Sequence, residues 1–236
     1  MAGRHLDLGR IEEALQSLAA VVPSIHDELG APHDLLDAEV IRNMLAGYTL
    51  VERLVVEGID MFAMGQHRHM LELNRIALCG EHELTEYAGH VEATERRFYE
   101  ERYAGVEDVV GWYREHEHRS VWDKAAGVYT RVLSEPQLFI EGNQRTGALL
   151  MSYVLMRGGE APFVLNAFNA TEYFRTSAAI CGIRKNSLTA LVRFPGIQWR
   201  LSRFLRRERD TRYLLPPRAP AGTSAADSAA LHSGQQ

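Results

Sequence analysis

A polar segment with residue types that bind anions precedes a strongly apolar run in this chain. Residues 137–148 carry the polar types, and residues 149–156 are largely apolar. The first turn of a helix exposes unpaired backbone N–H groups and the positive end of the helix dipole, so it attracts phosphate or carboxylate groups. Gly142 lets the backbone approach a ligand closely, Arg145 adds a planar pair of donors, and Glu141 could hold a divalent cation. The segment therefore predicts an anion-binding loop at the start of a helix.

The spacing of these residues resembles the signature of the Fic (Fido) family, H-P-F-x-[D/E]-G-N-G-R-x-x-R. The matching residues are Phe139, Glu141, Gly142, Asn143 and Arg145. In that family the acidic residue holds Mg²⁺, and the Gly-Asn-Gly-Arg loop cradles the phosphates of a nucleotide. The resemblance therefore implies a Mg²⁺ site at Glu141 and a loop that binds ATP or another nucleotide-linked substrate. The phosphate-binding residues that it implies are Gly142, Asn143, Gln144, Arg145, Thr146 and Gly147.

The signature is incomplete at both ends. Gln137 stands where the family has the general-base His, Leu138 replaces the Pro, Gln144 replaces the second Gly, and Ala148 replaces the last Arg. Because Gln has no titratable proton near neutral pH, Gln137 can position a group by hydrogen bonds but cannot accept a proton as imidazole does. Losing a general base lowers a rate by on the order of 10²–10⁴. In the family the last Arg contacts the terminal phosphates, so Ala148 weakens the hold on a triphosphate. AMP transfer by the usual route is therefore disfavoured.

Glu57 resembles part of a second family element. Many Fic proteins carry an inhibitory Glu upstream, in the pattern [S/T]-x-x-x-E-[G/N], and Glu57 is followed by Gly58 with Arg53 at the Ser/Thr position. In the family this Glu pairs with the last Arg of the signature, which is absent here. Glu57 could instead pair with Arg145 or act as an acid or base in place of the missing His. The alternative is an ordinary surface or interhelical Glu, because short degenerate matches are common.

Further candidates lie outside the signature or at its edge. Asn166 and Tyr173 follow the predicted motif helix, and together with Phe139 they are expected to form a wall beside the substrate. The pairs His67/His69 and His116/His118 have a spacing that suggests metal ligands. On a helix, however, residues two apart point away from each other, so these pairs are interpreted as surface histidines.

The elements that must position the loop are predicted to be helical, because apolar residues recur with helical spacing along most of the chain. Asp34 is expected to cap the helix that Gly58 ends, and residues 162–169 are expected to be extended or looped. No strand pattern of convincing length is present. The fold class is therefore all-α, and the resemblance implies a Fic-like multi-helix bundle with a short β-hairpin flap. Helices are predicted near residues 11–22, 35–55, 61–78, 92–103, 106–116, 121–133, 149–156, 171–180 and 187–207, the last interrupted at Pro195-Gly196.

Composition narrows the class of protein. The net charge of -5 and the pI near 6.1 predict no general attraction to nucleic acid or to an anionic membrane. The two cysteines form no metal or redox spacing, and no apolar run reaches the roughly 20 residues of a membrane span, so a cytoplasmic location is predicted. The domain prediction is an N-terminal extension (1–33), a Fic-like helical domain (34–213) and a Pro/Ala/Ser-rich disordered tail (214–236).

Three functions remain open from sequence. The first is an enzyme on the Fic scaffold with non-standard chemistry on a phosphate- or nucleotide-containing substrate, and the second is an inactive regulatory or binding module. The third is slow AMP transfer to a protein hydroxyl. A homodimer is compatible with each of these three functions. A plain helix cap by Asn143 or Thr146 is the simplest interpretation of the loop. The candidates for a catalytic role are Gln137, Glu141, Asn143, Arg145 and Glu57.

Overall fold

Every regular element in the part of the chain that the structure describes is helical. The computed structural model of the protein describes residues 5–29, 36–80, 88–101 and 105–216. These ranges contain isolated bridges between Leu6 and Leu214 and between Glu135 and Arg184, but no sheet and no hairpin flap. The all-α prediction is therefore confirmed. The helices are α1 (Leu8–Leu29), α2 (Ala38–Val56), α3 (Arg68–Cys79), α4 (Ala88–Glu100), α5 (Val106–Glu115), α6 (Val121–Leu133), α7 (Asn143–Arg157), α8 (Ala170–Cys181) and α9 (Leu188–Arg207), with a 3₁₀ turn at Thr211–Tyr213.

Helix α7 lies in the centre of the core. All of its residues from Thr146 to Met156 are buried, which explains why its sequence is apolar on every face. It packs against α2, α3 and α6. A Cβ atom on Gly147 would lie 2.8 Å from the ring of Tyr129, and one on Gly47 would lie 2.5 Å from Leu149 Cδ1. The two glycines therefore let α6 and α2 approach α7 closely, and this fixes where α7 begins.

Some helix ends differ from the prediction. Asp37, and not Asp34, caps α2, because its Oδ1 atom accepts hydrogen bonds from the backbone N–H groups of Glu39 and Val40; Asp34 lies outside the described residues. Residues 61–67 form turns, so α3 begins later than its apolar pattern suggested. Helix α9 continues through Pro195 without the predicted interruption. The end of α2 before Gly58, which has a φ of +71°, agrees with the prediction.

The two ends of the described chain belong to the same packed unit as the motif helix. Helix α1 packs against α2 and α8. Leu214 bridges to Leu6, and the backbone N–H of Leu215 donates to the carbonyl of His5. The rest of the predicted tail, residues 217–236, lies outside the described residues. None of the described helices combines the length and hydropathy that crossing a membrane requires.

The tryptophans occupy two environments. Trp112 and Trp122 are buried, and a Cβ atom on Gly127 would overlap the Trp112 ring, so α5 and α6 meet there without any space between them. Trp199 on α9 is 58% exposed, with the guanidinium carbon of Arg203 4.8 Å from its ring centroid. Helix α9 thus buries one face in the core and leaves an aromatic and basic face in solvent.

Candidate functional site

A cavity of about 260 Å³ opens beside the start of α7. Its polar side comes from residues 137–142, here called the motif loop, and from the first turn of α7. Its apolar side comes mainly from α1 and the start of α2, with Tyr173 and Phe174 of α8 beside them. The polar residues that line it are Gln137, Glu141, Gly142, Asn143, Gln144 and Arg145. The apolar residues on the opposite side are Leu15, Leu18, Val22, Leu36, Val40 and Met44.

The side chain of Asn143 stabilises the motif loop through hydrogen bonds to other residues of the loop. Its Oδ1 atom accepts a hydrogen bond from the backbone N–H of Phe139 (2.9 Å). Its Nδ2 atom donates to the Phe139 carbonyl (2.8 Å) and to Oε1 of Gln137 (3.0 Å). Because both Nδ2 protons are engaged, the Asn143 side chain has no donor left for a ligand. Its contribution to anion binding can come only from its backbone N–H.

Asn74 of α3 holds the same loop from behind. Its Nδ2 atom donates to the carbonyl of Glu141 (3.0 Å) and to Oγ1 of Thr146 (2.9 Å). Between these two contacts Gly142 has a φ of +71°, and a Cβ atom there would lie 3.0 Å from the side chain of Leu78. Glycine is therefore required both by the backbone conformation and by the packing against α3.

The start of α7 has no cap from its own chain. Gly142 provides no side-chain hydrogen bond, and the first turn contains no acidic residue. The backbone N–H groups of Gly142, Asn143 and Gln144 have no acceptor among the described residues, and all three residues line the cavity. Consecutive N–H groups of this kind form an anion-binding concavity, and the helix dipole adds positive potential.

Arg145 and Glu141 flank these N–H groups. The half-buried Arg145 donates through one guanidinium nitrogen to the carbonyl of Ala77, at the end of α3 (3.1 Å). Glu141 is exposed and is the only carboxylate among the described residues that line the cavity. Both residues lie close enough to Cys79 to act on its thiol. Burial is the main cause that raises the pKa of Cys79; Arg75 and Arg145 lower that pKa, and Glu141 raises it.

Gln137 is fixed at the edge of the cavity by three contacts. Its Oε1 atom accepts from Asn143, its Nε2 atom lies 3.6 Å from Sγ of Cys181, and its carbonyl accepts from Nε of Arg97 (3.0 Å). Burial raises the pKa of the Cys181 thiol, and the contact with Gln137 offsets part of that rise. Burial also raises the pKa of Tyr173, whose hydroxyl donates to the carbonyl of Gln144 (2.9 Å). Neither group is a proton acceptor near neutral pH.

Three residues predicted for the site lie behind the loop and do not line the cavity. Thr146 is fully buried, and its Oγ1 atom accepts from Asn74. Gly147 is a packing residue of the α6–α7 contact. The Phe139 ring stacks on that of Phe98, with centroids 5.7 Å apart. These three residues therefore support the loop, and the roles predicted for them in phosphate contact and in the substrate wall stay predictions.

Two further predicted residues lie elsewhere. The Oδ1 atom of Asn166 accepts from the backbone N–H groups of Phe168 and Asn169, so Asn166 shapes the turn before α8 and does not line the cavity. Glu57 follows the last residue of α2, whereas Met44, near the start of α2, lines the cavity. At 1.5 Å per residue they are about 20 Å apart along the helix axis. Glu57 therefore lies far along α2 from the part of that helix that lines the cavity.

Two parts of the site were not identified from sequence. Asn74 interrupts the apolar stripe of α3, and a buried polar residue in such a stripe is the signal that could have singled it out. The apolar side of the cavity was interpreted only as core, because helical periodicity does not distinguish residues that face a cavity from residues that pack fully.

Metal ligands are sparse in the described part of the chain. It contains no group of three His, Cys, Asp or Glu side chains that could hold a metal ion. His69 bonds to Glu72 and Gln66, and His116 to the carbonyl of Trp112. The side chain of His69 is only 13% exposed, so it is not the surface histidine that was predicted. Glu141 alone supplies a carboxylate at the cavity, and one carboxylate with phosphate oxygens from a ligand is a common way to hold Mg²⁺.

Similarity to known proteins is found at the level of structure. No model of a known protein family matches the chain, and no curated protein matches it. Among solved structures, the chain is similar to one of Fic-1 from C. elegans, with a TM-score of 0.44 and 15% sequence identity. The match covers 86% of this chain and 63% of that chain, so this chain spans less than two thirds of the matched structure.

Proposed function

We propose that this chain is a Fic-type protein whose cavity binds a phosphate-containing small molecule against the start of α7. The observation that carries the proposal is the cavity itself, in which the open N–H groups of residues 142–144 lie beside Arg145. The signature spacing, with helices α6 and α7 on either side of the loop, supports the Fic-type assignment.

The charges around the loop support an anionic ligand. A helix start without a cap or an acidic first turn carries roughly half a positive charge, and a phosphate group at neutral pH carries about −1.5 to −2. Arg145 adds a guanidinium group, held at the cavity by its bond to the Ala77 carbonyl, and the Glu141 carboxylate at the same cavity opposes part of that charge until a cation neutralises it. Hydrogen bonds to a charged group contribute about 1.5–3 kcal/mol each. Two or three of them are enough for measurable binding.

Mg²⁺ fits the same arrangement. Glu141 would hold the ion from the exposed side of the loop, with phosphate oxygens of the ligand completing its coordination. When bound, the ion neutralises charge on the phosphate.

Chemistry on the bound phosphate ester is the second candidate function, and the exposed Glu141 carboxylate beside the open N–H groups favours it. Slow AMP transfer has less support, because the fixed amide of Gln137 cannot accept a proton from a target hydroxyl. Incubation with labelled ATP, CTP or UTP and Mg²⁺ separates these candidates. Label on a protein target would establish AMP or related transfer, whereas turnover of a small phosphate ester would establish the other chemistry.

The binding proposal is tested by changing Arg145 to Ala. We expect Arg145→Ala to weaken binding of inorganic phosphate by about 10- to 100-fold, since one charge-assisted contact is lost. Binding is measured by NMR titration of the isotope-labelled protein, and circular dichroism checks the fold. Arg200, which is exposed on α9, gives the matched control Arg200→Ala with unchanged binding. Equal phosphate affinity in Arg145→Ala and the unchanged protein would refute the proposal.

A further inference from the structure

The two sides of the cavity differ in what they offer a ligand. The motif side presents N–H groups and Arg145, as described above. The opposite side presents Leu15, Leu18 and Val22 from α1, together with Val40 and Met44 from α2. These five side chains are wholly hydrocarbon or thioether, so a ligand that reaches from one side to the other meets polar and then apolar surroundings.

Most of the backbone on the apolar side offers no hydrogen bonds either. Leu15, Leu18 and Val22 lie inside α1, and Met44 lies inside α2, where backbone N–H and C=O groups bond to each other along the helix. Leu36, which precedes α2, is the exception. A purine or pyrimidine carries several donors and acceptors on its edges. Placing those edges against this wall would remove them from water without a partner, which is unfavourable.

The cavity is also small, although it is partly open to solvent. Its volume of about 260 Å³ is just below the range of ligand pockets, which are commonly about 300–1,000 Å³. A phosphate ester of a short hydrocarbon alcohol fits such a space.

We infer that the ligand is a phosphate monoester of a short aliphatic alcohol, with its phosphate at the start of α7 and its hydrocarbon part against α1 and α2. This inference rests on the proposed phosphate site and adds the chemical class of the rest of the ligand. Burial of each methylene strengthens binding by about fourfold. A five-carbon chain that is half buried therefore strengthens binding about 30-fold over phosphate alone.

A comparison of probes tests the inference on the full chain. Inorganic phosphate, 3-methylbutyl phosphate, 3-methylbutanol and ATP are titrated separately into the labelled protein and followed by NMR. We expect 3-methylbutyl phosphate to bind about 30-fold more tightly than phosphate, and ATP to bind no more tightly than phosphate. Equal affinity for phosphate and its 3-methylbutyl ester, or tighter binding of ATP than of the ester, would overturn the inference while leaving the phosphate site intact. Failure of both phosphate and the ester to bind would refute the proposed function as well.

A variant at Val40, with a matched control at Val56, tests the apolar side directly. Val40 is partly buried and lines the cavity, so the isosteric Val40→Thr places a hydroxyl on the wall, whereas Val56 is 49% exposed at the end of α2 and does not line the cavity. We expect Val40→Thr to weaken the ester about fivefold, and Val56→Thr to leave the ester's affinity unchanged. An unchanged ester affinity in a folded Val40→Thr protein would contradict placement of the chain against α2.

Discussion

Helices α6 and α7 pack against each other but begin in opposite ways. At the start of α6, Ser120 accepts a hydrogen bond from the backbone N–H of Asp123 (3.2 Å) and donates to its carboxylate (2.6 Å). Although burial raises the pKa of Asp123, bonds from Ser120 and Ser202 hold it below its ordinary value. At the start of α7, Gly142 provides no cap, and no acidic residue follows.

The contrast separates two uses of a helix start. Helix α6 satisfies its first N–H groups and its dipole with its own side chains, so it has little left to offer a ligand. The loop before α7 is equally well fixed, but from behind, by Asn143 and Asn74. The shape of the loop therefore does not depend on hydrogen bonds from the backbone N–H groups of residues 142–144. A rigid loop and open backbone N–H groups coexist because different residues provide them.

The largest effect is expected from Asn143→Ala, which removes the support behind the open start. Loss of three hydrogen bonds at about 1 kcal/mol each lowers the free energy of unfolding by about 3 kcal/mol, and phosphate binding is lost with the loop shape. Urea denaturation and NMR titration measure the two effects. Tyr153→Phe is the control, because it removes bonds to Ile59 and Met61 at the far end of α7. Loss of binding in this control would show that any destabilisation of α7 abolishes the site.

A smaller effect is expected at the capped helix. Ser120→Ala removes the cap of α6 and lowers the free energy of unfolding by about 1 kcal/mol, as such caps do. Phosphate affinity stays unchanged, because α6 begins away from the cavity. Thermal denaturation and phosphate titration check both statements. A weaker phosphate affinity in Ser120→Ala would mean that the two helix starts are coupled.

The smallest change in stability is expected when an acidic residue is placed in the first turn of α7, as Asp123 is in α6. Gln144→Glu places a carboxylate in the first turn of α7 and raises the free energy of unfolding by about 0.3–1 kcal/mol through the helix dipole. The same charge repels phosphate and weakens its binding about tenfold. Gln144→Met, which is neutral and of similar size, should do neither. A Gln144→Glu protein that gains stability and still binds phosphate normally would place the anion elsewhere.

Much of the fold was predictable because its signals are local. The predicted bounds of α6, residues 121–133, agree with those in the structure, since Ser120 marks its start and Pro136 follows its end. The start of α3 was predicted too early. The apolar residues Met61 and Phe62 suggested an earlier start, but Gly65, with a φ of +79°, belongs to a turn that the apolar pattern does not reveal.

The polar residues that line the cavity were predictable from sequence, but Asn74, which holds the motif loop, was not. Residue types at fixed spacing placed Glu141 and Arg145 beside the start of a helix, and the structure brings them to one cavity. Asn74, which holds the carbonyl of Glu141, lies 67 residues earlier, and no local pattern pairs them. The same limit explains Glu57: a short match gave its identity but not its position along α2, at the far end from the cavity.

The placement of the tryptophans gives the protein two optical signals that are independent of the cavity. Emission from Trp112 and Trp122 should be shifted to the blue and shielded from acrylamide, and emission from Trp199 should be shifted to the red and quenched. None of the three lines the cavity. Intrinsic fluorescence therefore follows unfolding of the α5–α6 contact and of α9 without direct interference from ligand. The free energy of unfolding of each variant can then be measured with and without phosphate, and its increase with phosphate gives the affinity.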